Sequence, residues 1–307
     1  MALPPVHPGR LSGIFGGAVL VLVAWHSAAT ALDARFAPKA TPRTESRPAI
    51  EATPAPMTRT GAAEPISAAL CDDMKRHKVL TPDAPVGCAR LSLVRFSYVG
   101  FDGQIHSDGE IVVMDVAAEH VLRIFAKLQE MRFPIARAKL LNHYDGNDDA
   151  SMAEDNTSAF NARKIVGGSS LSLHAYGLAI DLNPIQNPYV KRSGPTLTFD
   201  PPAGAEYANR FNDRPWKTAR PGLAEAVIDV LADQGFLIWG GYWGDPIDYQ
   251  HFQVTRSLAE QLARLPQAQA QAEFERFVER YRNCRSSAAS SRPACIMASS
   301  RTGRPDE

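Results

Sequence analysis

The stretch Ser172-Leu-His174-Ala-Tyr-Gly177-Leu-Ala179-Ile-Asp181-Leu-Asn183 sets polar side chains inside an apolar run. Ile180 and Leu182 alternate with Asp181, the period-two pattern of a short strand over 178–182. A carboxylate on the inward face of a strand is costly unless it is paired or bound to a metal. Gly177 and Ala179 let the chain fold back, so that His174 can approach Asp181. A second stretch runs Trp239-Gly240-Gly241-Tyr242-Trp243-Gly244-Asp245-Pro246-Ile247-Asp248-Tyr249-Gln250-His251-Phe252-Gln253. There a glycine-rich loop leads to Asp248 and His251, which flank the entry to another short strand over 251–254.

Outward from these stretches, strands and helices mix without regular alternation. Leu91 to Val99 is β-branched and aromatic. Phe101-Asp102-Gly103 supplies turn chemistry before Glu110 to Met114, which predicts a hairpin. Helical spacing of Val121, Leu122, Ile124, Phe125 and Leu128 predicts a helix over 116–131. Leu223, Val227, Ile228, Val230 and Leu231 predict another over 221–234, with Gly235 as its stop. Ser257 and Glu260 have the spacing of a capping box, and 272–282 reads as a fourth helix. With a short strand over 236–239, the fold class is α+β.

The 307 residues carry 33 Lys+Arg against 33 Asp+Glu, 45% apolar and 21% charged residues. That composition is globular and excludes a wholly disordered chain or a multi-span membrane protein. A zero net charge excludes a dedicated nucleic-acid binder, which needs a basic excess to displace phosphate counterions. Residues 1–31 hold one charge, Arg10, then the apolar run Ile14 to Trp25 and the small residues Ala29-Thr30-Ala31. This is the pattern of an export signal, cleaved or kept as an N-terminal membrane tether. The run is short for a bilayer span. Residues 32–66 contain Pro38, Pro42, Pro48, Pro54, Pro56 and Pro65 with few large apolar side chains, and read as a disordered linker. Residues 67–282 then form one compact domain, followed by a loose Ser/Arg-rich tail over 283–307.

The four cysteines, Cys71, Cys88, Cys284 and Cys295, form no C-x-x-C pair, which argues against a zinc ribbon or a thioredoxin-like site. In an exported chain an even count suggests two disulfides. Three pairings are open, of which the sequence-near one, Cys71 with Cys88 and Cys284 with Cys295, is the simplest. The other reading is free structural thiols.

Two imidazoles and one carboxylate leave a fourth tetrahedral position for water on catalytic zinc. A further carboxylate beside that water can act as general base. The pattern S-x-H-x-x-G-x-A-x-D followed by W-G-G-x-W…D-x-x-H-F resembles the zinc-dependent peptidoglycan peptidases. These comprise the VanY-type D-Ala-D-Ala carboxypeptidases and the phage L-alanyl-D-glutamate endolysins, with lysostaphin and hedgehog domains as more distant relatives. The likeness runs from about Val94 to Val254 and includes Asp155-Asn-Thr-Ser-Ala-Phe160-Asn-Ala-Arg163. It implies a small antiparallel sheet carrying the metal site, flanked by helices. It also implies one Zn2+ per chain held by His174, Asp181 and His251, with Asp248 as the general base. Arg163 matches the arginine that holds a substrate carboxylate or the developing oxyanion; otherwise it is a surface ion pair. Ser172 supports the ligands or is a strand-end hydroxyl.

One departure matters. Carboxypeptidases of this family carry Glu-Pro-Trp-His at the second motif, whereas this chain has Asp248-Tyr-Gln-His251. The shorter base and the W-G-G-x-W lead-in point to the endolysin branch. The function implied is hydrolysis of a peptide bond in peptidoglycan by an exported, periplasmic or envelope-bound monomer. The alternative is a non-catalytic, zinc-containing wall-binding module of the same fold, against which Asp248 speaks. His106, in the hairpin, and His143 either line the cleft or are polar surface residues, and the cluster Asp145, Asp148 and Asp149 reads as a solvated loop. The cluster lacks the spacing and terminal Glu of an EF-hand. Trp239, Tyr242 and Trp243 either flank a groove or, for Trp239, fill the core.

Overall fold

A computed structural model describes residues 61–165, 167–211, 215–287 and 291–300. In chain order the strands are β1 (Gly61–Pro65), β2 (Leu91–Val99), β3 (Ile105–Met114), β4 (Ala179–Asp181), β5 (Tyr189–Ser193), β6 (Thr196–Asp200), β7 (Ile238–Trp239), β8 (Ile247–Asp248) and β9 (His251–Gln253). The helices are α1 (Ala68–Arg76), α2 (Ala118–Glu130), α3 (Asp148–Ala153), α4 (Ile228–Ala232), α5 (Arg256–Arg264), α6 (Gln267–Ser286) and α7 (Arg292–Ser300). The strands form three antiparallel sheets in the orders β1-β2-β3, β4-β9-β7 and β6-β5-β8. The architecture is the expected α+β, with helices around small antiparallel sheets.

The hairpin β2–β3 builds the platform. Its inner face buries Val94, Phe96, Ile111 and Val113, and α2 lays Val121, Ile124, Phe125 and Leu128 against it. The Phe96 and Phe125 rings stack with centroids 3.6 Å apart. Each such ring removes roughly 150–250 Å² of surface from water, which makes this contact a principal source of stability. The platform then positions the polar stretches. Val112 accepts from the backbone N–H of Phe160, and Met114 donates to Gly177 O, at 3.0 and 2.9 Å. Both segments that lead into the site are thereby fastened to β3.

Several expectations are corrected. Residues 61–65, expected in the linker, form β1, which pairs with β2 from Gly61 opposite Phe96 to Pro65 opposite Ser92. Proline at the end of an edge strand forfeits no ladder bond. Residues 1–60, with the export signal and the rest of the linker, lie outside the described residues. The helix expected over 221–234 is a 3-10 turn (Ala224–Ala226) followed by the short α4. Asn187 is the cause: its Oδ1 accepts from Ala224 N at 2.8 Å and its Nδ2 donates to Gly222 O at 2.9 Å. Those backbone groups are thereby satisfied outside a helix. At α5 the cap is Thr255, whose Oγ1 accepts from Leu258 N at 3.3 Å, so Ser257 lies inside the first turn. Helix α6 extends well beyond 272–282 at both ends.

The segment after Arg285, expected to be loose, carries α7, whose Cys295 and Ser299 are buried. Disulfides join Cys71 to Cys88 and Cys284 to Cys295. The second ties α7 to α6, and such loop closure contributes about 3 kcal/mol by restricting the unfolded chain. Among the described residues no helix is long and apolar enough to cross a membrane.

Candidate metal centre

His174 sits on a single 3-10 turn, Leu173–Tyr176. Ser172 caps that turn, its Oγ accepting from His174 N at 3.3 Å, so the hydroxyl supports the histidine through the backbone. Gly177 then takes a left-handed conformation at φ 66°, where a Cβ would stand 2.4 Å from Met114 N. Only glycine reverses the chain this close to β3. The reversal delivers β4, whose last residue, Asp181, lies directly opposite His251, the first residue of β9. Paired backbone bonds between Ser158 and Asp181, both 2.9 Å, hold the other edge of β4.

The three side chains converge. His174 Nε2 lies 3.1 Å from Asp181 Oδ2, His251 Nδ1 lies 2.9 Å from Asp181 Oδ1, and the two nitrogens are 3.2 Å apart. All three residues are buried. Each imidazole has its outer nitrogen committed. His174 Nδ1–H donates to Ala159 O, and His251 Nε2–H donates to Gln253 Oε1 at 2.8 Å. Those bonds leave an unprotonated nitrogen on each ring pointing at Asp181, the arrangement a metal-ligating histidine requires.

The donor set tests well against a metal ion. Four ligands placed tetrahedrally about 2.0–2.1 Å from zinc stand roughly 3.3 Å from one another, close to the separations here. Two facing lone pairs beside a buried carboxylate repel unless a proton or a cation lies among them. His174, Asp181 and His251 are the one group among the described residues with metal-ligand composition and closeness. Burial alone would raise the Asp181 pKa, but the neighbouring His174 and His251 outweigh it and hold the carboxyl well below its usual range. Burial alone would lower His251, yet its bond to Asp181 and the Asp248 charge take it up to about 8.

Asp248 ends β8, opposite Tyr189 of β5. Its Oδ1 is buried without a hydrogen-bond partner. Burial pushes the carboxyl up to about 6, against the pull of His251. The backbone of Gly240 packs on it so closely that a Cβ there would stand 2.5 Å from Asp248 O. The glycine of the loop is therefore needed for the approach. Trp239 is buried and donates from Nε1 to Tyr249 O at 2.7 Å, which steadies the turn between Asp248 and His251. Trp239 is thus a core residue. Trp243 lies at the surface with its ring 5.4 Å from that of His251, and Tyr242 beside it is 65% exposed.

Arg163 forms an ion pair with Asp148 and donates from Nη1 to Lys164 O. Its charge nonetheless acts on Asp248, where it favours the ionised form. His106 lies in the β2–β3 hairpin, bonded to Asp102 and stacked on Tyr98. His143 is exposed in the 3-10 turn Leu141–Tyr144, Asp145 binds His77 at 2.6 Å, and Asp148 and Asp149 open α3. These groups form no metal cluster among the described residues. Two partners escape sequence reasoning. The Ala159 carbonyl carries no side-chain signal at all. Gln253 follows His251 by two residues on one strand, so a period-two reading could have placed both on one face.

Comparison with curated proteins gave no match, and comparison with solved structures gave none. Residues 166–254, which contain His174, Asp181, Asp248 and His251, match the family model described as D-alanyl-D-alanine carboxypeptidase, and this supports placing the chain among the peptidoglycan metallopeptidases.

Proposed function

We propose that the chain is an exported zinc metallopeptidase that hydrolyses a peptide bond in peptidoglycan stem peptides or cross-links. The observation that carries this is the buried His174, Asp181 and His251 group beside an unpartnered carboxylate, Asp248, within the segment that matches the peptidase family. Zinc held there supplies a Lewis acid that activates water and polarises the scissile carbonyl. Asp248 takes the proton from the attacking water as the new C–O bond forms, then delivers it to the amine nitrogen as the C–N bond breaks. A raised carboxyl suits both halves of that cycle, since it accepts and returns the proton near neutral pH. Arg163, freed from Asp148 by a competing carboxylate, binds the substrate's acidic group or the oxyanion. The two disulfides fit an oxidising compartment outside the cytoplasm.

The chain acts as a monomer on peptide, not nucleic acid, and residues 1–31 either leave as an export signal or tether it to the membrane. The test is digestion of purified sacculi followed by mass spectrometry of the released muropeptides. Hydrolysis that EDTA abolishes and zinc restores is expected. Loss of a terminal D-alanine would identify a carboxypeptidase, and internal cleavage an endopeptidase. Zinc uptake with no change in the muropeptides would instead favour the wall-binding module.

A further inference from the structure

The register of the third sheet places an unassigned side chain at the candidate site. Tyr189, at the start of the central strand β5, pairs with Asp248 of β8 on one side and with Asp200 of β6 on the other. Residues directly opposite in antiparallel strands project to the same face, with Cβ atoms about 4.5–5.5 Å apart. Asp200, Tyr189 and Asp248 therefore form one row across the sheet. Asp248 lies close enough to the metal group for the charges of His251, Asp181 and His174 to act on it, and the register sets Tyr189 beside it on the same face. Tyr189 is half-buried, and its hydroxyl makes no hydrogen bond among the described residues.

A phenol so placed has a donor to offer. Burial raises its pKa, and the carboxylates of Asp248, Asp200 and Asp245 raise it further, so the O–H is retained through the working pH range. The carboxylate opposite it is equally unpartnered at Oδ1. The two groups share one face of the sheet without being bonded to each other, so the polar atom of neither is used up by the other.

We propose that Tyr189 is a substrate-contacting residue whose phenolic O–H donates to a backbone carbonyl oxygen of the peptide next to the scissile bond, on the Asp248 side of the metal group. The proposal rests on the hydrolytic reading above and deepens it. The phenol would hold the peptide in register with Asp248, while Asp248 keeps its lone pairs for the attacking water.

Tyr189→Phe removes only the hydroxyl and keeps the ring in its packing. With the full zinc-loaded chain, kcat/KM on purified muropeptides is expected to fall about 5–10-fold, the worth of one hydrogen bond between neutral groups. Zinc content, Tm and the acid limb of the pH–rate profile should be unchanged. Wild-type kcat/KM in Tyr189→Phe would overturn the proposal. A displaced acid limb would overturn it too, by showing that the phenol acts through Asp248. Muropeptide affinity, measured by calorimetry on both proteins, separates this from failure of the hydrolytic reading. If the wild type binds muropeptides without cleaving them, a 5–10-fold weaker affinity in Tyr189→Phe still supports the contact, and equal affinities or no binding by either protein overturn it.

Discussion

Asp181 and His251 face each other across the β4–β9 ladder, with Oδ1 and Nδ1 2.9 Å apart. Two of the candidate metal ligands, 70 residues apart in sequence, are thus held by one sheet register. A slip of one residue would turn either side chain to the opposite face. The buried Phe252 prevents that slip, since any shift would carry its ring out of the core. The site is therefore stabilised by the same apolar contacts that stabilise the sheet, and it is preorganised before any ion arrives.

Preorganisation has a proton cost that can be measured. In the metal-free protein His251 titrates at about 8, so a proton competes with a cation for it. Zinc affinity should rise with pH from 6 to 8, up to tenfold per unit, and level off above. Calorimetry in buffers of different ionisation enthalpy should record proton release on binding at pH 7. Linkage predicts a matching trend in stability. The raised His251 contributes stability that is full below pH 6.5 and lost through 8, while the lowered Asp181 contributes above about pH 4. Metal-free protein should accordingly lose Tm from pH 6.5 to 8, and a zinc affinity unchanged over that range would contradict the pairing.

Gln253 should matter through the tautomer it selects. Its Oε1 accepts from His251 Nε2, leaving Nδ1 directed at Asp181. Gln253→Met keeps the bulk and deletes the acceptor. Zinc affinity should fall about 10–100-fold, as is usual when a ligating histidine loses its outer partner. Competition against a fluorescent chelator would read this, with Tm of the metal-free protein as the control for folding.

Asp248→Asn should separate activity from stability. Loss of a general base costs about 10²–10⁴-fold in kcat. The same change removes a buried carboxylate whose ionisation the fold disfavours. A carboxyl raised in the folded state binds more protons there than in the unfolded chain, so its charge destabilises increasingly as pH rises from about 4 to 6. The variant should therefore be more stable than wild type by about 1–2 kcal/mol at pH 8, after allowing for partial exposure, and no more stable below pH 4. Denaturant melts at the two pH values would show it. Equal stability at both would mean that Asp248 is solvated.

The strongest sequence signals were those whose cause is local. Strand β2 runs from Leu91 to Val99 as its β-branched and aromatic residues predict, and alternation around Asp181 placed that carboxylate on an inward face. Strand β1 was illegible because Gly61–Pro65 has linker composition and is a strand only through the edge that β2 offers. Apolar spacing over 221–234 could not anticipate Asn187, which competes for that backbone from more than 30 residues away. Helix α7 is only nine residues long, sits in a segment whose Ser/Arg-rich composition reads as loose, and is tied to α6 by the bond between Cys284 and Cys295, a pairing that no local pattern announces. Tyr189 was hidden for a related reason, since nothing local announces that β5 and β8 share a register.

Gly177 offers the sharpest test of how the platform holds the site. Two costs meet there: a left-handed φ of 66°, and a separation of only 2.4 Å between an added Cβ and Met114 N. Left-handed backbone alone costs an alanine about 1–2 kcal/mol, and a clash with rigid backbone adds roughly 1–3 kcal/mol more. Relief would require Gly177 to withdraw from β3, breaking its bond to Met114 N and carrying His174 away from Asp181. Gly194→Ala is the control. Its φ is also left-handed, at 60°, but nothing lies within 4 Å of the added Cβ. Gly194→Ala should lose only the conformational cost and bind zinc as wild type does. Gly177→Ala should lose about 2–5 kcal/mol in urea melts and most of its zinc affinity. Equal effects of the two substitutions would show that backbone conformation, not contact with β3, keeps His174 in place.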